Sequence, residues 1–292
     1  MIAGLLHPGQ MGAAIGARLT RSGHTVLWHP TGRSDATRQR AHEADLHPVE
    51  DLAELLAEAS VVLSICPAAA AEEVAEHVAE HHYPGIYVDA NAISPHRMHH
   101  IHDLLTKTGA SVVDAVISGP PPRNDARPRI YLAGPSGATA EARDLFSTSE
   151  LDTTVLADKI GAASALKMAT ASYLRTNRLL AAIAHALADE HGITDALIRE
   201  AEQFGATALA DRAYLPSVAA RAWRWEAEMR EIAQTLDASG LPTVLADGSA
   251  ELFHLLAPEK NHWSITPEAV LERLKLEQAD ERRGRDPHPD SD

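Results

Sequence analysis

The chain has 292 residues, of which 41 are acidic and 26 are basic, and its formal net charge at neutral pH is −15. This acidic balance argues against a nucleic-acid-binding surface, which needs a stripe of basic side chains, and it suits anionic lipid poorly. Cys66 is the single cysteine, so the chain cannot form an internal disulfide. This is consistent with a reducing compartment. We expect a cytoplasmic protein without a signal peptide or membrane span, because no apolar run has the required length or flanks.

Short apolar runs alternate with helical patterns through the first half of the chain. These runs predict strands at residues 2–6, 24–29, 60–66, 85–90, 111–118, 129–134 and 153–156. Helices are predicted at residues 12–23, 35–43, 48–57, 69–81, 94–109 and 138–146. In the fifth of them Ser94 is the expected N-cap and Pro95 lies in the first turn. Alternation of this kind builds βαβ units, so we predict an α/β Rossmann domain with a doubly wound, mostly parallel sheet.

The pattern changes after residue 160. From Gly161 to His191 there is no proline, and apolar residues recur at every third or fourth position, which predicts a helix of about 30 residues. The patterns that follow are also helical. We therefore predict a Rossmann domain at residues 1–159, an all-α domain at 160–278 and a disordered tail at 279–292, where apolar residues are scarce.

The first predicted strand is followed by a glycine turn that reads HPGQMG. A dinucleotide-binding turn has the pattern G-x-G-x-x-G between a strand and a helix, and here a histidine replaces the first glycine. The second glycine would let the backbone approach a pyrophosphate, and the third would let the helix pack closely. The alternative is a strand–turn–helix that binds no ligand. We predict that the six residues of the turn bind the cofactor: His7, Pro8, Gly9, Gln10, Met11 and Gly12.

The end of the second predicted strand should select the cofactor. An acidic residue there would bind the ribose hydroxyl of NAD, whereas an arginine suits the additional phosphate of NADP. The six residues after this strand, HPTGRS (29–34), include Thr31, Arg33 and Ser34 and no acid. We therefore predict that all three contact the cofactor and that NADP is preferred over NAD. The alternative is that Arg33 is an exposed loop residue.

Four later stretches follow the glycine turn in a recognisable order: VVLSICP (61–67), VDANAISP (88–95), DAVISGPPP (114–122) and GAASALKM (161–168). Together they resemble the superfamily of β-hydroxyacid dehydrogenases and 6-phosphogluconate dehydrogenase, which also contains the imine reductases. With RAWRWEAEMREIA (221–233), the chain resembles the branch of this superfamily that carries the DUF1932 domain. The resemblance extends over roughly residues 1–256.

The resemblance implies roles for individual residues. Cys66, Pro67 and Asn91 would lie beside the nicotinamide part of the cofactor. Ser118 and Gly119 would bind the acid or polar group of the substrate. The resemblance also implies an active site in the cleft between the domains and a homodimer built on the long helix.

Lys167 would be the acid–base of the reaction, because hydride transfer to or from an alcohol also moves the hydroxyl proton. Burial in a cleft would lower the pKa of a lysine toward a useful range. The alternative is a solvated lysine on the surface of a helix.

The sequence departs from the usual pattern at three places. Ala171 stands where an asparagine usually follows the lysine by one turn, and Asn91-Ala92 replaces the usual serine–threonine pair. The arginine–histidine phosphate signature of 6-phosphogluconate dehydrogenase is absent. These departures argue against 6-phosphogluconate as the substrate, whereas the retained lysine favours a carbonyl or alcohol over an imine.

Three further features have competing interpretations. Trp225 and Met229 could contact the substrate or could belong to the core of the helical domain. His96 and His100 lie four residues apart on one helix, but we favour a solvated face over a metal site. Cys66 is better explained as a residue beside the cofactor than as a nucleophile.

The sequence thus predicts an NADP-preferring oxidoreductase that acts on a small hydroxyacid or carbonyl compound and binds neither metal, nucleic acid nor membrane. Two alternatives are an imine reductase and a non-catalytic NADP-binding sensor or partner protein.

Overall fold

The computed structural model describes residues 1–123 and 126–283, with side-chain burial given as far as residue 275. The chain divides into two compact units, one from Met1 to Met168 and one from Ala169 onward. The predicted boundary lies a few residues earlier, in the loop before the long helix. In the structure the first turns of that helix belong to the N-terminal unit, because they are hydrogen-bonded to one of its strands.

One sheet of eight strands forms the centre of the N-terminal unit. The strands are β1 (Ile2–Leu5), β2 (Thr25–Trp28), β3 (His47–Pro48), β4 (Val61–Ser64), β5 (Ile86–Asp89), β6 (Ser111–Ser118), β7 (Arg129–Ala133) and β8 (Asp152–Ala157). Their order in the sheet is β3-β2-β1-β4-β5-β6-β7-β8. Every neighbouring pair is parallel except β6 and β7, which are antiparallel. The order reverses direction at β1, so the predicted doubly wound, mostly parallel sheet is confirmed.

Six helices connect these strands: α1 (Gln10–Arg21), α2 (Asp35–Glu43), α3 (Leu52–Glu58), α4 (Ala71–Glu80), α5 (Pro95–Thr108) and α6 (Ser136–Ser147). Local sequence explains the bounds of α5. The Ser94 hydroxyl accepts a hydrogen bond from the Arg97 backbone amide, Pro95 occupies the first turn, and Gly109 ends the helix at a φ of 113°. The predicted cap of this helix is therefore confirmed.

The helix predicted at residues 48–57 begins later than expected. Pro48 belongs to the two-residue strand β3, and the helix starts at Leu52. The reason is local, because the Asp51 carboxylate accepts a hydrogen bond from the Glu54 amide at 2.9 Å and so fixes the first turn.

Both faces of the sheet are buried. On one face Leu5, Leu63 and Val88 pack beneath α1 and α6, and on the other Val62 and Tyr87 pack beneath α3, α4 and α5. Buried strands of this kind read as continuous apolar runs, which is why the sequence located them well.

Helices make up the C-terminal unit. The helix α7 (Ala162–Glu190) begins in the N-terminal unit, and α8 (Thr194–Gln203), α9 (Thr207–Ala210), α10 (Leu215–Ala238), α11 (Val244–Leu256) and α12 (Pro267–Arg283) follow. The long helix predicted at residues 161–191 is therefore present. The start of the predicted tail, residues 279–283, is helical, and residues 284–292 lie outside the described residues. Within the described ranges, none of the helices combines the length and apolar character that a membrane crossing requires.

Candidate functional site

The glycine turn connects β1 to α1. Gly9 is the N-cap of α1, and its amide donates to the His7 carbonyl oxygen at 2.9 Å. A Cβ atom at Gly12 would lie 2.3 Å from that same carbonyl oxygen, so close packing requires glycine there. Gly9 has a φ of −66°, and a Cβ atom built on it would meet no atom within 4 Å. Neither strain nor crowding requires glycine at this position, which leaves open space in front of the helix N-terminus, as a pyrophosphate needs.

His7 and Arg33 are hydrogen-bonded to each other beside this turn. A guanidinium nitrogen of Arg33 lies 2.8 Å from His7 Nε2, and a second donates to the Leu6 carbonyl oxygen at 3.2 Å. Burial, and after it the positive charge of Arg33, lower the pKa of His7 from 6.5 to about 4. The imidazole is therefore neutral near pH 7 and accepts from Arg33. Arg33 is not the exposed loop residue of the alternative interpretation, because it is part of the turn structure.

A cavity of about 280 Å³ opens beside the ends of β1 and β2. Its lining combines apolar side chains with imidazoles and one guanidinium: Leu6, His7, His29, Arg33, Leu52, Leu55, Val74, His77, Val78 and His81. Three buried nitrogens in this lining have no hydrogen-bond partner, namely Nδ1 of His7, Nδ1 of His29 and Nε of Arg33. Buried polar atoms are normally satisfied, so these three indicate a ligand with oxygen acceptors. The residues present thus fit the adenosine end of a dinucleotide.

Sequence reasoning missed the other histidines of this cavity. His29 follows β2 directly, and that position was a usable signal, because ligands bind at the carboxyl ends of parallel strands. His77 and His81 come from α4, far along the chain, and only the fold brings them to the cavity.

The remaining residues after β2 contribute less directly. Ser34 is the N-cap of α2, and its hydroxyl accepts from the Thr37 amide at 3.3 Å. Thr31 is exposed. A second arginine that the sequence did not single out, Arg40, donates to the Pro8 carbonyl oxygen at 3.3 Å and helps to fix the turn.

Asn91 connects the ends of β4 and β5. Its amide nitrogen donates to Ser64 Oγ and to an Asp89 carboxylate oxygen, both at 3.0 Å. Its amide oxygen accepts from the Cys66 backbone amide at 2.6 Å. The side chain is therefore committed to protein partners, and Asn91 holds the Cys66 backbone in place. The resemblance implied a position beside the nicotinamide but not this bridging role.

Cys66 is half-buried, and the neighbouring Pro67 is exposed. Burial raises the pKa of the Cys66 thiol to about 11, so the thiolate form is rare near neutral pH. This favours a packing role beside a ligand over a nucleophilic one.

Two carboxylates lie next to each other inside the sheet. Asp89 on β5 and Asp114 on β6 are paired in register and are almost fully buried. Burial raises the pKa of Asp89 to about 7, the hydrogen bonds from Asn91 oppose this shift, and the charge of Asp114 adds to it. Burial also raises the pKa of Asp114, although donors from the start of α7 oppose the shift.

Asp114 anchors the first turn of α7. Its carboxylate accepts from the backbone amides of Ala163 and Ser164 at 3.0 and 3.1 Å and from the Ser164 hydroxyl at 2.8 Å. An anion at a helix N-terminus also interacts favourably with the helix dipole. Lys167 follows on the next turn of the same helix and is half-buried. The sheet therefore fixes the helix segment that carries the predicted acid–base.

Ser118 is the last residue of β6, and Gly119 follows it. Ser118 is half-buried, and Gly119 has a φ of 122°, in the left-handed region that favours glycine. A Cβ atom at Gly119 would also lie 3.3 Å from Pro128. The backbone there bends away from the strand, which leaves the Ser118 hydroxyl at the strand end.

Trp225 and Met229 belong to the core of the C-terminal unit. They are 3% and 0% exposed, and the Trp225 ring packs edge-on against Phe253 at a centroid distance of 5.5 Å. The prediction of substrate contact is therefore corrected in favour of the core alternative, because both residues lie on the inward face of α10. In the part of the chain that the structure describes, no three histidine, cysteine, aspartate or glutamate side chains are grouped to hold a metal ion.

Residues 3–155 match the family model of the NAD binding domain of 6-phosphogluconate dehydrogenase, and residues 188–256 match DUF1932, a domain of unknown function. The chain belongs to the 6-phosphogluconate dehydrogenase NAD-binding family. The resemblance drawn from the sequence motifs, including the DUF1932 branch, is confirmed. Membership of this family makes the chain an NAD(P)-dependent oxidoreductase. A comparison with curated proteins found no match.

Solved structures share the fold over almost the whole chain. The conserved protein MTH1747 of unknown function, described as similar to 3-hydroxyacid dehydrogenases, is 26% identical with a TM-score of 0.70 and covers 88% of this chain and 96% of its own. The 3-hydroxyisobutyrate dehydrogenase of Mycobacterium tuberculosis, solved with L-serine, is 20% identical with a TM-score of 0.77 and covers 94% and 99%. An imine reductase of Streptomyces aurantiacus is 17% identical with a TM-score of 0.60 and covers 94% and 99%.

Proposed function

We propose that this member of the family is an NADP-preferring oxidoreductase that transfers a hydride between the nicotinamide and a small hydroxyacid or carbonyl substrate, with Lys167 as the acid–base. The observation that carries the proposal is the attachment of the start of α7 to Asp114, which fixes the helix turn before Lys167. Such an anchor suits a side chain that must meet a reacting oxygen at a defined position.

The cofactor assignment rests on the glycine turn and the cavity beside it. The open space at Gly9 and the N-terminus of α1 suit a pyrophosphate. His7, His29 and Arg33 offer unpaired nitrogens to the adenosine ribose and its phosphate. Because a guanidinium lies there and residues 29–34 after β2 contain no acid, the additional phosphate of NADP should bind more favourably than the free hydroxyl of NAD. NAD remains the alternative cofactor.

A bound nicotinamide supplies or accepts the hydride. In the reducing direction the Lys167 ammonium would give its proton to the oxygen of the carbonyl group, and in the oxidising direction the neutral amine would take the hydroxyl proton. The Ser118 hydroxyl and the Gly119 amide would bind the acid or polar group of the substrate. Cys66 would pack beside the nicotinamide, with its backbone held by Asn91.

A binding titration with NADPH and with NADH, followed by the fluorescence of the reduced nicotinamide, tests the cofactor assignment. We expect NADPH to bind at least about tenfold more tightly than NADH, since one charge-assisted interaction is worth that factor. The variant Arg33→Gln should weaken NADPH binding more than NADH binding, because the Arg33 guanidinium also hydrogen-bonds the turn that both cofactors share. Arg38→Gln is the matched control, because among the described residues its side chain bonds only to the Arg33 carbonyl oxygen, at 3.2 Å. Binding of neither nucleotide would overturn the proposal.

The substrate class is tested by NADPH oxidation with a panel of 2-oxo and 3-oxo acids, simple aldehydes and cyclic imines. Turnover of oxo acids or aldehydes supports the proposal. Turnover of imines alone would identify an imine reductase, whose fold the chain shares. Tight NADPH binding without turnover of any compound would favour a sensor.

We also propose that the protein forms a homodimer through α7. Five large apolar side chains on this helix are exposed: Tyr173, Leu174, Leu180, Ile183 and Leu187. Tyr173, Leu180 and Leu187 recur every seven residues, and such a stripe can pack against the same stripe of a second copy. Light scattering should give twice the chain mass, and Leu180→Glu with Leu187→Glu should give a monomer. Leu241→Glu, at another exposed apolar position, is the control.

A further inference from the structure

Four arginines of the C-terminal unit form a group in which two contact Tyr214, and we call them the arginine cluster: Arg175 and Arg178 on α7, and Arg221 and Arg224 on α10. The guanidinium carbon of Arg178 lies 3.8 Å from the centroid of the Tyr214 ring, and that of Arg221 lies 5.9 Å from the same centroid. These contacts hold like charges close together on an aromatic surface.

Only half of this positive charge has a carboxylate partner. Arg175 donates to Glu228 at 2.9 Å, and Arg178 lies 3.6 Å from Asp211. Within the residues that the structure describes, Arg221 and Arg224 form no ion pair. Arg221 donates instead to neutral oxygens, the Tyr214 hydroxyl at 3.3 Å and Ser217. A cationic cluster whose charge is only partly compensated is unexpected in a chain with a net charge of −15.

The charges of the cluster influence the pKa values of Tyr214 and Arg224. Burial alone would raise the pKa of Tyr214, yet its pKa is lowered, because Arg221 donates to the phenol and Arg178 adds its charge. Desolvation, followed by the charges of Arg221 and Arg175, lowers the pKa of Arg224. The Tyr214 shift reflects the positive charge beside the phenol, whereas the pKa of Arg224 is lowered first by desolvation and is raised in part by Glu228.

The arrangement leaves guanidinium edges available to a ligand. Besides Tyr214, Arg221 also lies over the Trp263 ring, with 4.8 Å between its guanidinium carbon and the ring centroid. Trp263 is 55% exposed, so this part of the cluster faces solvent. A guanidinium stacked on a ring keeps its in-plane N–H groups for hydrogen bonds, and such an edge matches two oxygens of a carboxylate or a phosphate. Arg224 is exposed and lies three residues after Arg221 on α10, which places the two on the same side of the helix.

We propose that the arginine cluster is an oxyanion-binding site for a carboxylate or a phosphate group, with Arg221 and Arg224 as its principal ligands. This site goes beyond the proposed function and requires neither the glycine turn nor Lys167. It gives the C-terminal unit an affinity for acidic small molecules in a chain whose net charge would otherwise repel them.

Calorimetric titration of the full chain with sodium phosphate, and separately with sodium succinate, tests the site at a constant ionic strength set with sodium chloride. The wild type should bind at least one of the two with saturation. The double variant Arg221→Gln/Arg224→Gln should weaken that binding by about tenfold or more, because each lost charge-assisted interaction contributes about that factor. Phosphate and succinate separate the two ligand classes.

Two further variants make the result specific. Arg230→Gln, on the same helix but paired with Glu226 and Glu251, should bind like the wild type. Arg33→Gln should also retain the site, because its guanidinium belongs to the cofactor cavity. Loss of all anion binding in Arg33→Gln would assign the binding to the cofactor cavity and overturn the proposal.

Absence of saturable binding to the wild type, or unchanged binding to the double variant, would also overturn it. If the double variant does not fold, Arg221→Lys/Arg224→Lys takes its place. This variant keeps both charges and removes the planar donors, so succinate or phosphate binding should still fall severalfold. Thermal unfolding of each variant, followed by circular dichroism, shows whether the fold is intact. Failure of NADPH binding would overturn the proposed function and leave this site unaffected.

Discussion

The two units of the molecule differ in the groups that bind their buried carboxylates. In the N-terminal unit, Asp89 and Asp114 are almost fully buried and are held by amides and hydroxyls, and neither forms an ion pair among the described residues. In the C-terminal unit, the buried Glu259 is paired with Arg273 at 2.7 Å and with His262 at 2.8 Å. A buried carboxylate without a cation costs stability unless hydrogen bonds compensate it. In the N-terminal unit the buried carboxylates therefore fix backbone segments, whereas in the C-terminal unit the ion pairs of Glu259 join helices.

The largest expected effect concerns Lys167, which lies one turn after the helix segment that Asp114 anchors. Replacing Lys167 by alanine should lower kcat for a substrate found by the NADPH oxidation panel by about 10³-fold, the usual contribution of a general acid. Lys159→Ala, which removes an exposed lysine just before α7, should leave kcat unchanged. Equal rates for both variants would remove Lys167 from the mechanism.

The next effect concerns the two retained glycines of the turn. Gly12→Ala should destabilise the N-terminal unit by about 3 kcal/mol, because its Cβ atom would lie 2.3 Å from the His7 carbonyl oxygen. Gly9→Ala should fold normally and lose cofactor affinity, since the open space there would be filled. Thermal unfolding and NADPH titration of the pair provide the measurement. Equal stability of the two variants would contradict the packing explanation.

Asp114 tests whether buried charge fixes α7. Asp114→Ala should cost about 2–3 kcal/mol, because two backbone amides and the Ser164 hydroxyl lose their acceptor. Hydrogen exchange resolved by peptide should become faster at the start of α7, including the turn of Lys167. Asp103→Ala, which removes an exposed carboxylate on α5, is the matched control. Unchanged exchange at α7 would show that the helix does not depend on this anchor.

A smaller effect is expected in the pH dependence of the free energy of unfolding. The pKa of Asp89 is raised to about 7, so between about pH 4 and pH 7 the folded state keeps a proton that the unfolded state has released. Its contribution to stability is present at low pH and is lost as pH rises toward 7. His7, with its pKa lowered to about 4, acts in the opposite direction, because only the unfolded state binds its proton between pH 4 and 6.5.

Unfolding measured from pH 4 to 8 separates the two groups. Asp89→Asn should remove the loss of stability with rising pH, and His7→Gln should remove the opposing gain. If both variants follow the pH profile of the wild type, neither group titrates as the structure indicates.

The smallest effect is expected at the surface of the C-terminal unit. Arg230 pairs with Glu226 and Glu251 at 3.1 and 3.4 Å, and its side chain is half exposed. Arg230→Gln should change stability by less than about 1 kcal/mol, and added salt should reduce the difference further. A larger loss that persists in high salt would show that these ion pairs matter as much as the buried carboxylates.

The fold was predictable to the extent that it depends on local patterns. The buried strand β6 has the predicted bounds, because a run of β-branched residues between turns has few alternatives. The strand β3 was not predicted, since two residues leave no periodicity to detect. The site depends more on distant contacts. Asp114 reads as an ordinary strand residue, and its partners on α7 lie about fifty residues later in the chain.

Trp225 is a second example of a residue whose role depends on distant contacts. Its spacing on α10 is compatible with a cleft or a core, and only the position of Phe253 on α11 decides between them. Sequence located His7 and Arg33 separately, whereas their direct hydrogen bond required the folded turn.

The histidine in the glycine turn also bears on how such turns change in evolution. His7 is not among the residues with positive φ, so the backbone conformation at this position is open to any amino acid. Gly12 has no such freedom, because the His7 carbonyl oxygen occupies the space of its side chain. Sequence drift can therefore exchange the first glycine of the fingerprint for a residue that contributes its own hydrogen bonds, while the third stays fixed. A fingerprint that weights the three glycines equally would undervalue divergent members of this family.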